Sequence, residues 1–423
     1  MQLEPDCCPP TTACLQTLPE VDEQCHRPTD QPTSNSSLAG STAHKLHDLL
    51  DFSALEDEVA ISSRFDVIAQ VFMHEYQLVV GHNGDETPFE IQEMEFYLQK
   101  AGCHEDPFTH GSEEQKVSGR CSTSLTGYRG GTRKGLDLTI GGPLPRNISP
   151  YFNRGANSPI PSNGIDEGSQ NALELNGRLR GGILLRSLRS LAQTGKSGDS
   201  NAGSVYGPSL LVDRILSLSG ASSIPELVET IWAGDTNALI PPGASSSQTT
   251  YLYLKHVTPS SSPRIYKSPR IGLDLSHPGT TVPNAQSTLL DLHSRIRFLP
   301  KMYRYYTRPQ ELAKGRPQTL YGFIHNNLKS RPDLSNHSIS GDRALRSNVN
   351  EGMGLKNALI EKYLGEYDAG KKEGLKHLKL CIGPAGKGAA DSPMSYLKMM
   401  GALDVVIQLA TSSRGTGSSK SAS

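Results

Sequence analysis

The segment Ile91-Gln-Glu-Met-Glu-Phe-Tyr-Leu98 carries two carboxylates and a phenol at alternate positions. Alternate residues of an extended strand share a face. Met94, Phe96 and Leu98 are then an apolar face, and Ile91, Glu93, Glu95 and Tyr97 form the other. Residues two apart on a strand stand roughly 6–7 Å from each other, at about 3.3 Å per residue. If partly buried, two such like charges raise each other's pKa. That environment suits a general acid or base, or an anion facing an oxocarbenium-like transition state. A half-exposed strand with one wet face gives the same pattern. Soon after comes Gly102-Cys-His-Glu-Asp-Pro-Phe-Thr-His110, whose Asp-Pro turn brings His110 out of a loop.

The elements that must hold these residues can be read on either side. Phe65, Ile68, Ala69 and Phe72 follow the i, i+3, i+4, i+7 spacing of a helical stripe. Leu78-Val-Val reads as a strand, and the Asn83-Gly84 pair after it suits a hairpin turn into the carboxylate strand. Further strands are expected at Leu136–Ile140, Gly182–Leu188 and Ile271–Leu275, and helices at Leu210–Leu218 and Ile224–Trp232. Tracts 143–178, 192–206 and 241–249 are rich in Asn, Pro, Ser and Gly and read as surface insertions. Residues 1–45 read as a disordered tail, being Pro-, Ser- and Thr-rich without periodicity. The compact domain is expected over 46–315. Residues 316–423 form a partly helical C-terminal extension, with helices at Gly354–Tyr367, Lys371–Leu380 and Ser395–Leu409.

Composition narrows the classes. Only 35% of residues are apolar, against 41 Gly and 28 Pro, which fits one core with long irregular segments. A net charge of −1 gives no global field for nucleic acid, so any such partner needs a local patch. No apolar run reaches the length of a membrane span. Seven cysteines in 423 residues, without a secretory signal, point to a reducing intracellular compartment, nucleus or cytoplasm, and to no membrane partner. Cys7, Cys8, Cys14, Cys25 and His26 lack the paired spacing of a structural zinc site. Gly130-Gly-Thr-Arg-Lys134-Gly lacks the pattern of a phosphate-binding loop.

Ile91–Leu98 and Asp106–His110 resemble the I-V-E-T-E-A-Y-L strand and following loop of the methylpurine (3-methyladenine) DNA glycosylases. Gly182-Ile-Leu-Leu-Arg-Ser-Leu188 resembles that family's V-L-L-R-A-L strand. Gly207-Pro-Ser-Leu-Leu-Val-Asp-Arg resembles its G-P-G-K-L segment, and Ser268-Pro-Arg-Ile-Gly-Leu273 its P-R-(I/V)-G-(I/V) strand. Arg295-Ile-Arg-Phe298 or Tyr303-Arg-Tyr305 matches its terminal L-R-F. Tyr128-Arg-Gly-Gly-Thr-Arg-Lys-Gly-Leu-Asp-Leu-Thr-Ile-Gly141 is similar to a motif of a glycosylase-like branch.

The resemblance implies a mixed α+β fold: a curved, largely antiparallel sheet with surrounding helices. It implies hydrolysis of the N-glycosidic bond of damaged bases in DNA, with no metal or organic cofactor, by a monomer. Glu95 takes the place of the residue that activates water. Tyr97 and His110 take those of the base pocket, and Arg186 positions water or backbone. Extruding a nucleotide calls for such an aromatic wall and a positioned carboxylate. Arg270, Arg295, Arg297 and Arg304, interleaved with Phe298, Tyr303, Tyr305 and Tyr306, are candidate nucleic-acid contacts. One departure matters: Gly130–Gly142, where DNA-acting members carry an aromatic wedge, has no aromatic residue. That shifts the expected substrate towards single-stranded nucleic acid or a free nucleoside or nucleotide. It also opens an alternative, a catalytically degenerate nucleic-acid-binding relative. A sugar hydrolase using Glu93 and Glu95 together fits less well, because neighbours on one strand seldom flank a sugar from both sides.

Overall fold

The computed structural model describes residues 46–109, 134–141, 179–191, 203–233, 238, 249–259, 262–312, 314–332 and 337–412. The 1–45 tail, the five residues of the cysteine-rich segment weighed for zinc, His110 and the 143–178 tract lie outside them. In chain order the elements are α1 (Glu58–Glu75), β1 (Tyr76–His82), β2 (Asp85–Lys100), β3 (His104–Glu105), β4 (Leu136–Ile140), β5 (Leu179–Ser190) and β6 (Val205–Tyr206). There follow α2 (Pro208–Leu218), β7 (Thr250–His256), β8 (Tyr266–Ser268), α3 (Ser294–Phe298), β9 (Arg304–Tyr306), α4 (Arg316–Ser330), α5 (Arg343–Met353), α6 (Asn357–Glu373), α7 (Leu375–Cys381) and α8 (Pro393–Ser412).

The class is mixed α+β. Among the described residues the strands form one curled antiparallel sheet in the order β4-β5-β2-β1-β7, with β3 and β9 on β2, β6 on β5 and β8 on β9. The hairpin between β1 and β2 turns on Asn83 (φ 52°) and Gly84 (φ 91°), the two positive φ values a two-residue turn of the I′ type needs. Asp57 caps α1 by accepting from the Ala60 N–H, and Phe65, Ile68, Ala69 and Phe72 are fully buried on its inner face. Phe65 stacks on Phe96 of β2 at 4.5 Å between ring centroids, which fixes the helix over the second half of the carboxylate strand.

β2 is sixteen residues long and changes partner halfway. Its first half pairs with β1, its second half with β9 and β3, and nearly its whole length with β5. Its register with β5 shifts between Ile91 and Glu93, and again between Glu93 and Met94, so Gln92 and Arg186 are extra residues on opposite strands. A bulge re-aims side chains. The effect is visible in burial: Phe89 and Ile91 precede it and Met94, Phe96 and Leu98 follow it, all in the apolar core. Ile91 therefore leaves the carboxylate face on which simple alternation put it.

Three other expectations are altered. Ile271–Leu275 is not a strand; the pairing falls earlier, at Tyr266–Ser268, and the chain turns at Gly272 with φ +78°. Ile224–Trp232 winds as a π-helical turn over Glu226–Ile231. Val205–Tyr206, at the end of the 192–206 tract, is a short strand on β5. The C-terminal helices share one apolar cluster with the sheet rather than forming a core apart. α4 lies on β8, and the Thr319 hydroxyl accepts from Arg304 at 2.9 Å across the boundary expected at 315.

Candidate functional site

The site grows from the second half of β2. Glu95 is completely buried and accepts three hydrogen bonds: from the Tyr97 hydroxyl at 2.8 Å, from Arg186 Nη1 at 3.2 Å, and from the Ile271 backbone N–H at 2.7 Å. A carboxylate has about four acceptor positions, so Oε1 keeps one in reserve beside the Ile271 bond. Tyr97 is half-buried, and its hydroxyl is fixed by Glu95. Burial, then the Glu95 charge, pushes this phenol well above its ordinary range, so it stays protonated and a donor.

Glu93 looks like a twin of Glu95 in sequence but is built into the framework. It accepts from Arg304 Nε at 2.6 Å, from the Ser187 hydroxyl at 2.6 Å and from Arg186 Nε at 3.3 Å. Burial pushes its carboxyl up, but Arg304, Arg186 and Ser187 outweigh that and hold it below the ordinary carboxylate range. The bulge at Arg186 explains the asymmetry. It brings one guanidinium between both carboxylates, so their mutual repulsion is neutralised rather than used. The raised pair of pKa values expected from like charges is therefore absent at Glu93.

The residues expected at the surface as nucleic-acid contacts divide. Arg270 is buried, forms a two-pronged pair with Asp106 at 2.5 and 3.0 Å, and donates to the Phe96 carbonyl at 3.0 Å. Its guanidinium lies 4.5 Å from the Tyr97 ring centroid, a backing plate for one side of that ring. Arg304 is equally buried, tied to Glu93, Ser268 and Thr319. Neither offers a charge to an external phosphate, because each is consumed by a buried carboxylate. Arg295 and Arg297 are half-buried, with Arg295 over the Phe108 ring at 4.7 Å. Among the candidates they are the two cations with surface.

Sequence reasoning missed three contributors. Asp106 was quoted only as part of a turn; it organises that turn by accepting from Phe108 N–H at 3.1 Å while it binds Arg270. The Ile271 N–H points at Glu95 only because no strand forms there. Asp137 lies on β4, a strand that was expected without this residue being singled out. Its register partner is Leu184, whose partner on the other side is Glu95, so all three share one sheet face. Asp137 is exposed yet crowded: desolvation first, then the Glu95 charge, pushes its carboxyl up to about 6. With solvent reaching it, that shift says little about stability.

Between Tyr97 and β4 the floor is glycine. Gly182 pairs with Tyr97 on one side and Thr139 on the other, and a Cβ there would meet Asp137 Oδ1 at 3.8 Å. At Gly181 a Cβ would stand 2.4 Å from the Tyr97 carbonyl oxygen, so β5 approaches β2 this closely only without a side chain. Compared with known proteins, the chain matches no family model and no curated protein.

Proposed function

We propose that the chain hydrolyses N-glycosidic bonds of nucleotides in nucleic acid, in the manner of a DNA glycosylase acting on damaged bases, with Glu95 as the base that activates water. The observation that carries the reading is convergence on one carboxylate. Four segments, of which two lie some ninety and some 175 residues further along the chain, converge here: Glu95 with Tyr97, Asp106, Arg186, and Arg270 with Ile271 are linked to Glu95 directly or through the Tyr97 ring. These are the segments that resemble the methylpurine glycosylases. Such a carboxyl group, aimed by three donors on a sheet, suits the oxocarbenium-like state of glycosidic cleavage. Tyr97, backed by Arg270, supplies the flat surface on which an extruded base can stack.

The reaction needs no more than these side chains and water. Water attacks the sugar C1′ as the C1′–N bond breaks; Glu95 takes the water's proton, and the base leaves. Arg295 and Arg297 are the candidate cations that keep some surface, and single-stranded nucleic acid is the substrate form the aromatic-poor 130–142 segment favours. The complete burial of Glu95 favours a second reading, a relative that binds nucleic acid without cleaving it.

The test is formation of alkali-labile abasic sites in alkylated oligonucleotides, single- and double-stranded, by the native chain and Glu95→Gln. The first reading expects sites with the native chain, more in single strands, and at least about 100-fold fewer with the variant. Salt-dependent binding without any abasic sites would replace it with the second.

A further inference from the structure

Asp137 has no part in the mechanism above, yet its placement is specific. Glu95, Leu184 and Asp137 form one cross-strand row over β2, β5 and β4. Adjacent strands lie 4.7–4.9 Å apart, so the outer two positions of such a row are about 9.6 Å apart at the backbone. Two carboxyl groups separated by about 6.5–9.5 Å are what an inverting glycoside hydrolase uses, one to activate water and one to protonate the leaving group. The next row is Tyr97, Gly182, Thr139. Gly182 has no side chain, and a Cβ there would touch the Asp137 side chain at 3.5–3.8 Å, so Asp137 lies against the backbone of the Tyr97 row. A flat base resting against Tyr97 therefore has Asp137 at its far edge, while its sugar lies towards Glu95.

We propose that Asp137 is a second catalytic residue of this site, the general acid that protonates the departing base while Glu95 activates the water, and that it serves nucleotides bearing neutral bases. The proposal rests on the glycosidase reading. The step balances. Asp137 gives its proton to a ring nitrogen or oxygen of the base as the C1′–N bond breaks with its electron pair going to the base. Water forms the new C1′–O bond and yields its proton to Glu95, and proton exchange with solvent resets both carboxyls. A neutral base leaves poorly as an anion and needs that proton. A base already alkylated on its ring carries a positive charge and departs as a neutral molecule without it.

The chemistry around Asp137 agrees with this role. Among the described residues no hydrogen bond or ion pair holds it. The titratable residues of β2 in its own row and the next are Glu95 and Tyr97, and at the start of β4 Lys134 pairs with Asp213 at 2.7 Å. Of these Glu95 acts on it, adding to desolvation to keep the acid form populated near pH 6. Glu95, by contrast, is paired with the Arg186 guanidinium at 3.2 Å, so the two carboxyls stand in different surroundings.

The experiment uses the full chain, native and Asp137→Asn, with oligonucleotides containing either hypoxanthine, a neutral base, or 7-methylguanine, a cationic one. Free base is measured between pH 5 and 8, and circular dichroism checks the fold. For hypoxanthine, native release declines towards tenfold per pH unit above about 6. The variant loses that decline and is about 100-fold slower at pH 5.5. For 7-methylguanine the variant loses less than about tenfold. Equal losses on both bases in a folded variant, or an unchanged hypoxanthine rate, overturn the role of Asp137 and leave the glycosidase reading standing. Native protein that releases neither base overturns both.

Discussion

Arg186 divides one guanidinium between Glu93 and Glu95, and the site's charge balance depends on it. Replacing it with Met leaves Glu95 buried with only neutral donors. Removing one partner of a buried ion pair costs about 3–5 kcal/mol, and urea unfolding should show that loss for Arg186→Met. Glu93 makes a prediction of opposite character. Its carboxyl lies below the ordinary range in the folded chain, so it contributes stability above the unfolded value of about 4.5 and loses it as pH falls through the lower folded value. Glu93→Gln should therefore flatten the acid limb of stability measured between pH 5 and 3; an unchanged limb would mean the two arginines do not hold Glu93 charged. Strand position alone did not separate the two glutamates, and only the family resemblance singled out Glu95. What separates them is long-range: Arg304, some two hundred residues away, binds Glu93, and the Ile271 N–H binds Glu95.

At the scale of elements, periodic sequence was the reliable guide. The α1 stripe, the Asn-Gly hairpin and the short strand β4 were all legible, because each depends on neighbours within a few positions. The paired bulges at Gln92 and Arg186 were not, since nothing local marks them; nor was the loss of a strand at 271–275, where Ile271 turns its N–H to Glu95 instead. Of the C-terminal helices, α6, α7 and α8 were foreseen with shifted ends, α4 and α5 were not, and neither was their attachment to the sheet. α6 and α8 pack through glycines: a Cβ on Gly370 would stand 1.9 Å from the Lys398 carbonyl oxygen, and one on Gly401 2.1 Å from that of Tyr367. Gly365, on the same helix as Gly370, has open space around it. Gly365→Ala should thus stabilise by about 0.5–1 kcal/mol through helix propensity, whereas Gly370→Ala should destabilise by about 1–3 kcal/mol through overpacking. Thermal unfolding of the two variants gives the comparison, and equal shifts would contradict the close packing.

Across the whole molecule, one apolar cluster runs from the sheet into the C-terminal helices. A carboxyl–phenol cluster sits among those helices: Asp404 of α8 accepts from Tyr321 of α4 at 2.5 Å and from Tyr367 of α6 at 2.7 Å. Burial, only partly offset by the two phenols, pushes Asp404 up to about 6 from an ordinary 3.8. A folded value above the unfolded one contributes stability below about pH 4 that is lost as pH rises through about 6. Asp404→Asn should accordingly reduce the fall in Tm between pH 5 and 7.5, with the native chain as reference. No helix among the described residues is long and apolar enough to cross a membrane. The sheet, its bulges and the loop at Ile271 together hold one carboxyl group, Glu95, beside the Tyr97 ring. The most direct measurement of its role is single-turnover release of 7-methylguanine from a single-stranded oligonucleotide, by native chain and Glu95→Gln at saturating protein. Release by the native chain, slowed at least about 100-fold in the variant with oligonucleotide affinity retained, is the result predicted. Equal rates, or no release by the native chain, would contradict it.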